Sequence, residues 1–272
     1  MYDKNSTTKN QQSAKQYKKY DKTFAYYRVG GNRRNRYYIN KFSNMEKLCY
    51  DCGMSIEKGE LTREHIPAQC FFVGYGEEFK VNRITIPAHK TCNQYYSKID
   101  QELRDAIGVM TNNQTDKREL VSKSLKSLFS KKEGIERLSF EDGTISMNFN
   151  YGIFRELHLK NFKGLFFNKY KIPLPKRFKI KIITEGDQEI FSIEQVSYLY
   201  NAINYNFPKW EKSGHSDIFK YKIVVFDQNG NFCDFDINST EQTIFSIMVY
   251  HEELICFGFA ATELTIKKFT TK

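Results

Sequence analysis

The spacing of apolar positions along this chain switches between alternation and a three-to-four-residue rhythm, and each switch predicts an element. "LTREHI" (61–66) reads as a short strand that Pro67 ends, which leaves Glu64 and His65 close to its terminus. "FKVNRITIPAH" (79–89) reads as a second strand, carrying Asn82. Tyr96, Ile99, Leu103 and Ile107 then fall three and four residues apart, predicting a helix over "TCNQYYSKIDQELRDAIG" with Asn93 in its first turn. Strand, strand, helix is the expected order of this stretch.

After the polar hinge candidate "MTNNQTD" the pattern is mixed. Leu120, Val121, Leu125 and Leu128 predict an amphipathic helix, and "IERLSFEDGTISMNF" predicts a hairpin turning at Asp142–Gly143. A further helix is expected over "YGIFRELHLKNFKGLFF". "RFKIKIIT" alternates Phe178, Ile180 and Ile182 against Lys179 and Lys181, as a strand with one wet face does. Ser192 and Gln195 form a capping box ahead of Val196, Leu199 and Ile203. "IFKYKIVVF", a turn at Asn229–Gly230, "NFCDFDI", "QTIFSIMVY" and "LICFGFAA" predict an antiparallel meander. The fold class expected for this half is α+β with an antiparallel sheet, and no internal repeat interrupts it.

Charge changes the picture at the N-terminal end. The chain of 272 residues has a net charge of +10. Residues 1–41 hold eleven Lys or Arg against two Asp, +9 in all, so the remainder carries about +1. Lys and Arg, among them Arg33, Arg34 and Arg36, interleave with Tyr in this arm, which suits phosphate neutralisation with stacking on bases. The same composition describes a solubilising tail, and the sequence does not choose between the two. Three regions result: a basic arm over 1–44, a compact region over 45–112, and a C-terminal α+β domain over 116–272. No apolar run approaches the roughly 18 residues of a membrane span, and the polar N-terminus has no signal-like apolar stretch. A cytoplasmic location is expected, with the six cysteines as thiols or metal ligands.

Four of those candidate ligands are paired. Cys49 and Cys52 stand in "CYDC" before Gly53, and His89 and Cys92 in "HKTC", with the same two-residue gap inside each pair. Two close pairs of soft or borderline ligands suit one tetrahedral zinc. Because all four positions are then protein ligands, that ion would be structural. Cys70, outside the spacing and followed by two phenylalanines, reads as a small core residue.

The stretch between and around these pairs resembles the HNH endonucleases, the zinc-bearing ββα-metal nucleases, through "EHI", "VNRI" and "TCNQ" over roughly sixty of the 272 residues. The resemblance implies that His65 is the general base, that Asn82 orients the loop or the imidazole, and that Glu64 and Asn93 hold one catalytic Mg²⁺ or Mn²⁺. Glu64 stands where many members carry Asp; its longer side chain can still reach the metal. Asp100, seven residues beyond Asn93 and so on the same helix face, reads as a helix-surface charge, the alternative being a partner that supports the metal ligands. Arg63 and Arg83 are candidates for phosphate contact or for solvated strand-edge charge.

The residue types suit phosphodiester hydrolysis independently of the family. Attack by water on a charged diester needs a base with a pKa near neutrality, which histidine supplies, and a hard cation over the developing charge. Such a cation takes carboxylate and amide oxygens, whereas thiolates draw zinc. The expected function is therefore a metal-dependent nuclease acting on nucleic acid, DNA rather than RNA, in a setting such as phage defence or restriction. The alternative is a non-catalytic, zinc-stabilised nucleic-acid-binding module, which has no need of His65 and Asn93 together. The C-terminal domain is the expected seat of substrate choice, homo-oligomerisation or a protein partner.

Overall fold

The structure, a computed structural model, describes residues 47–111, 118–148, 151–184, 193–252 and 254–270. The arm with Arg33, Arg34 and Arg36, most of "MTNNQTD", and Ser192 of the capping box lie outside the described residues. The protein is mixed α+β, and its strands pair antiparallel throughout the described sheets.

The first strand and helix form where the pattern predicts them. β1 (Leu61–Ile66) pairs with β2 (Ile84–His89), with Glu64 opposite Ile86 and His65 opposite Thr85. The link between them contains a turn of 3-10 helix over Gln69–Phe72 and a single α-turn, α1 (Glu77–Lys80). α2 (Lys90–Met110) starts directly from the end of β2. β2 begins at Ile84 rather than at Phe79, because Asn82 adopts a left-handed backbone, φ 58°. Asn is among the few non-glycine residues that tolerate that conformation, and there it turns the chain into the strand.

The chain continues through α3 (Arg118–Phe129), α4 (Lys132–Ile135) and the hairpin of β3 (Leu138–Glu141) and β4 (Thr144–Met147). Then come α5 (Tyr151–Tyr170), β5 (Phe178–Thr184), α6 (Ile193–Asn206), β6 (Glu211–Lys212), β7 (Phe219–Phe226), β8 (Thr243–Tyr250), β9 (Leu254–Thr262) and α7 (Glu263–Thr270). The large sheet has the order β5-β9-β8-β7-β6. "NFCDFDI" is not a strand of it. One bridge joins it to β7, Phe232 opposite Phe226, with Cys233 N donating to Val225 O at 3.0 Å; beyond that the Gln242 side chain accepts from Asp236 N at 2.9 Å and donates to Asp234 O at 2.7 Å, which ends the ladder there.

Alternation along the strands gives the sheet two apolar faces. Phe219, Tyr221, Ile223 and Val225 of β7 pack in one cluster with Phe162, Leu165 and Phe166 of α5, while Val224 joins Ile203 of α6 and Phe245 in the other. The first cluster does not stop at the sheet. Ile66, Phe71, Phe72, Ile84 and Ile86 belong to it, so the β1–β2 hairpin and the large sheet share α5 as their common support.

The hairpin comes close to α5 at Gly164. A Cβ there would lie 2.6 Å from both Cγ1 and Cδ1 of Ile66 and 3.0 Å from Cδ1 of Ile86. Ile66 and Ile86 are buried and have no room to withdraw. Overpacking of this kind typically costs about 1–3 kcal/mol, against about 1 kcal/mol gained by replacing a helical glycine with alanine. With two Ile66 atoms at 2.6 Å the upper part of that cost applies, and Gly164→Ala should lose a net of up to about 2 kcal/mol. Chemical denaturation should give a lower midpoint at an unchanged slope; an unmoved midpoint would contradict the close contact.

Candidate functional site

The Cys-x2-Cys pair sits in a tight turn. Gly53 N donates to Cys49 O at 3.0 Å, Cys49 N donates to Met54 O at 2.8 Å, and Gly53 takes φ 74°, a left-handed value that favours glycine. The second pair lies across the strand-to-helix junction: His89 ends β2 and Cys92 is in the first turn of α2. The four ligand atoms of Cys49, Cys52, His89 and Cys92 all lie within 4.8 Å of one another. A tetrahedron with metal–sulfur bonds of about 2.3 Å has edges of about 3.8 Å, so the group can hold one metal ion and is compatible with a structural zinc.

The imidazole of His89 is oriented for this. Its Nδ1 is 3.3 Å from Cys52 Sγ, while Nε2 is 3.0 Å from the Ser55 carbonyl, which makes Nε2 the protonated nitrogen and leaves Nδ1 as the ligand. Burial, then the Cys49 and Cys52 sulfurs beside it, push the Cys92 thiol well above its ordinary range. Three thiolates at this distance need a cation between them.

β1 sorts the next residues onto its two sides. Thr62, Glu64 and Ile66 face inward and Arg63 and His65 face outward, as the period of two requires. Glu64 is 3% exposed, and its Oε1 receives the His65 backbone N–H at 3.1 Å and lies 3.1 Å from Lys160 Nζ. Lys160, on α5, also reaches both oxygens of Asp100 at 2.7 Å. Asp100 is thus not the surface charge its sequence position suggested. It lies four residues after Tyr96 and three before Leu103, on the apolar stripe itself, and is 8% exposed.

Burial holds the Glu64 carboxyl above its usual range, the Lys160 ammonium opposes this, and the Asp100 charge reinforces it. Glu64 Oε2 is buried and has no hydrogen-bond partner among the described residues, and neither has the hydroxyl of Tyr50. Tyr50 is close enough for the Glu64 charge, after burial, to push its phenol upward. Asn93 comes to the same side of β1: its Nδ2 donates to Thr62 Oγ1 at 3.3 Å, which keeps its Oδ1 free of that bond.

The outward side is positive. Half-buried His65 stands across the ladder from Thr85, between exposed Arg63 and half-buried Arg83. Burial first, then Arg83, Lys160 and Arg63, holds its imidazole below the ordinary value. At neutral pH His65 is therefore a free base. Arg83 is anchored by Nε donating to Lys80 O at 3.0 Å and by its guanidinium over the Phe72 ring at 5.4 Å, while its Nη1 is buried without a partner among the described residues. Asn82 is exposed; its carbonyl accepts weakly from Gly214 N at 3.5 Å, and its left-handed turn delivers Arg83 to the start of β2.

The residues sequence reasoning passed over are Lys160 and Tyr50. Lys160 carried no separate signal: α5 also holds Arg155, Lys163 and Lys169, and its spacing does not mark out the one lysine that is fully buried. Of the histidines without spaced partners, His158 is a core residue, 3.1 Å from the Tyr250 hydroxyl through Nδ1 and driven down to about 3 by burial. Cys70 packs against the core as expected, its Sγ 3.4 Å from Asp100 O. Among the described residues no helix is long and apolar enough to cross a membrane. No family model matches this chain, and no curated protein or solved structure does either.

Proposed function

We propose that this chain is a metal-dependent HNH endonuclease that hydrolyses phosphodiester bonds in nucleic acid, DNA in preference to RNA. β1, β2 and α2 form its ββα-metal module, with a structural zinc on Cys49, Cys52, His89 and Cys92. The observation that carries the reading is the division of labour along β1. It turns a neutral histidine onto an arginine-lined face and a carboxylate with one unpartnered oxygen to the side from which Asn93 approaches.

His65 takes the proton from the attacking water as the water adds to phosphorus. Arg63 and Arg83 hold the diester against the strand face. The turn at Asn82 fixes where Arg83 stands relative to His65. Glu64, through its unpartnered Oε2, and the Asn93 amide oxygen would hold a hard divalent cation, Mg²⁺ or Mn²⁺. When bound, that ion supplies electrostatic stabilisation of charge on the leaving 3′ oxygen. The products are 5′-phosphate and 3′-hydroxyl ends. The basic arm adds affinity for the phosphate backbone, the C-terminal sheet is the place for substrate choice, self-association or a partner protein, and a cytoplasmic role in phage defence or restriction fits such an enzyme.

The test is incubation of the full chain with supercoiled plasmid and with RNA. Plasmid should be nicked with Mg²⁺ or Mn²⁺ and spared in EDTA. The sign of the pH dependence follows from His65: protonated it cannot accept a proton, so the rate falls on acidification. The fall should be centred below the ordinary histidine value of about 6.5, because burial and the neighbouring cations depress this imidazole. Binding to plasmid without cleavage in any metal would assign the chain to the zinc-stabilised binding modules instead.

A further inference from the structure

The nuclease reading leaves unexplained why an ion cluster from three elements is buried directly behind Glu64. Lys160 Nζ lies 3.1 Å from Glu64 Oε1 and 2.7 Å from each oxygen of Asp100. Lys160 is fully buried, and the two acids are 3% and 8% exposed. β1 supplies Glu64, α2 supplies Asp100, and α5, which lies beyond the strand, strand, helix unit, supplies Lys160. The ring of Tyr96 lies 5.5 Å from the ammonium. Asp51 is engaged elsewhere, by Lys163 Nζ at 2.8 Å and by the Tyr96 hydroxyl at 3.2 Å.

Two features separate this cluster from an ordinary buried ion pair. The first is charge: two carboxylates face one ammonium, so with all three ionised the group keeps a net −1 inside the protein, an arrangement that a cation close by would relieve. The second is direction. Lys160 and the His65 N–H both act on Oε1 of Glu64, which fixes the rotation of the carboxylate and leaves Oε2 without a partner among the described residues. We propose that Lys160, backed by Asp100, is a positioning residue: it aims Glu64 Oε2 at the catalytic divalent cation, so that α5 sets the metal affinity of the nuclease site. This rests on the reading of Glu64 as a ligand of that cation.

Loss of the groups that orient a metal ligand typically weakens metal binding by about 10–100-fold. The test uses zinc-loaded full chain and Mn²⁺ as the probe, titrated by electron paramagnetic resonance. Lys160→Met alone would leave two bare carboxylates together, so the informative variant is Lys160→Met with Asp100→Asn, which removes the ammonium and one acid at once. Its Mn²⁺ dissociation constant should rise by about 10–100-fold, with zinc content and circular dichroism kept. Plasmid cleavage should return towards the wild-type rate at saturating Mn²⁺, because His65 is untouched. Should that variant not fold, Asp100→Asn alone serves: Lys160 is then free to neutralise Glu64 fully, and the constant should rise by about tenfold.

Lys160→Arg, which keeps the charge, should bind Mn²⁺ more tightly than the Met-containing variant. A folded variant whose Mn²⁺ constant stays within about twofold of wild type would overturn the positioning role and make the cluster a structural ion pair only. If wild type itself has no Mn²⁺ site that Glu64→Gln removes, the assignment of Glu64 as a ligand fails, and this proposal with it.

Discussion

His65→Ala should cut plasmid cleavage by about 10²–10⁴-fold, the usual contribution of a positioned general base, while the protein melts and holds its zinc as wild type does. The separation of the two readouts follows from where the side chain stands. The ring is on the outward side of β1, half-buried, and among the described residues no hydrogen bond or ion pair holds the imidazole. The bond that His65 does make, to Glu64 Oε1, comes from its backbone N–H and survives the substitution. Removing the imidazole takes a half-buried group from beside Arg63 and Arg83 without leaving a charge unpaired, so the change in stability should stay within about 1 kcal/mol. Single-turnover cleavage and a thermal melt of the same preparation decide it. Equal cleavage by the two proteins would remove the base from the mechanism, and a collapsed melt would make His65 structural.

How much of this was legible in the sequence depended on distance along the chain. β1 and α2 follow from local period, with Pro67 closing the strand, and the four metal ligands follow from two short-range spacings that local turns can satisfy. The onset of β2 was hidden because an alternating run continues back through Val81 and Phe79, and only the left-handed turn at Asn82 breaks it. "NFCDFDI" alternates like a strand, yet beyond one bridge to β7 Gln242 takes its backbone groups, a side-chain decision that no period records.

Asp100 was the instructive case. Its position, in step with Tyr96 and Leu103, already put it on the buried stripe, but a lone acid in a helix reads as solvated until its counter-ion is known. That counter-ion is Lys160, sixty residues on. The hinge candidate "MTNNQTD" separates the two stretches in sequence, while Ile66, Phe71 and Phe72 on one side share a core with Phe166 and Phe219 on the other. Long-range pairing of this kind is set by topology, and no spacing rule within a single element reaches it.

The metal centre gives the prediction with the larger effect on structure. Cys49→Ser, or a strong chelator on wild type, should unfold the region of β1, β2 and α2 locally. Apart from His89, few bonds tie the turn carrying Cys49 and Cys52 to the rest: Tyr50 N donates to Pro87 O at 3.1 Å, and Asp51 accepts from Lys163 Nζ at 2.8 Å and from the Tyr96 hydroxyl at 3.2 Å. Structural zinc in small domains contributes on the order of 10 kcal/mol of apparent folding energy, as much as the whole net stability of a typical domain. A region that starts at Cys49 and whose helix starts at Lys90 has its two ends held together by that ion. Without it, Tyr50 loses its anchor, and Tyr50 is one of the largest fully buried side chains.

The shared core with α5 should keep the large sheet folded, so the loss appears as local opening, not as one global transition. Amides of β1, β2 and the first turns of α2 should lose hydrogen-exchange protection, zinc content should fall, and β7, β8 and β9 should stay protected. Acidification should act the same way, because the cysteine sulfurs and His89 bind the ion only when deprotonated. Serine at position 49 presents a harder, weaker ligand, so the effect should exceed that of Gly164→Ala, which only crowds a packed contact. Retained protection in Cys49→Ser, alongside a collapse of His65→Ala, would reverse the two roles and remove the metal frame on which the site is built.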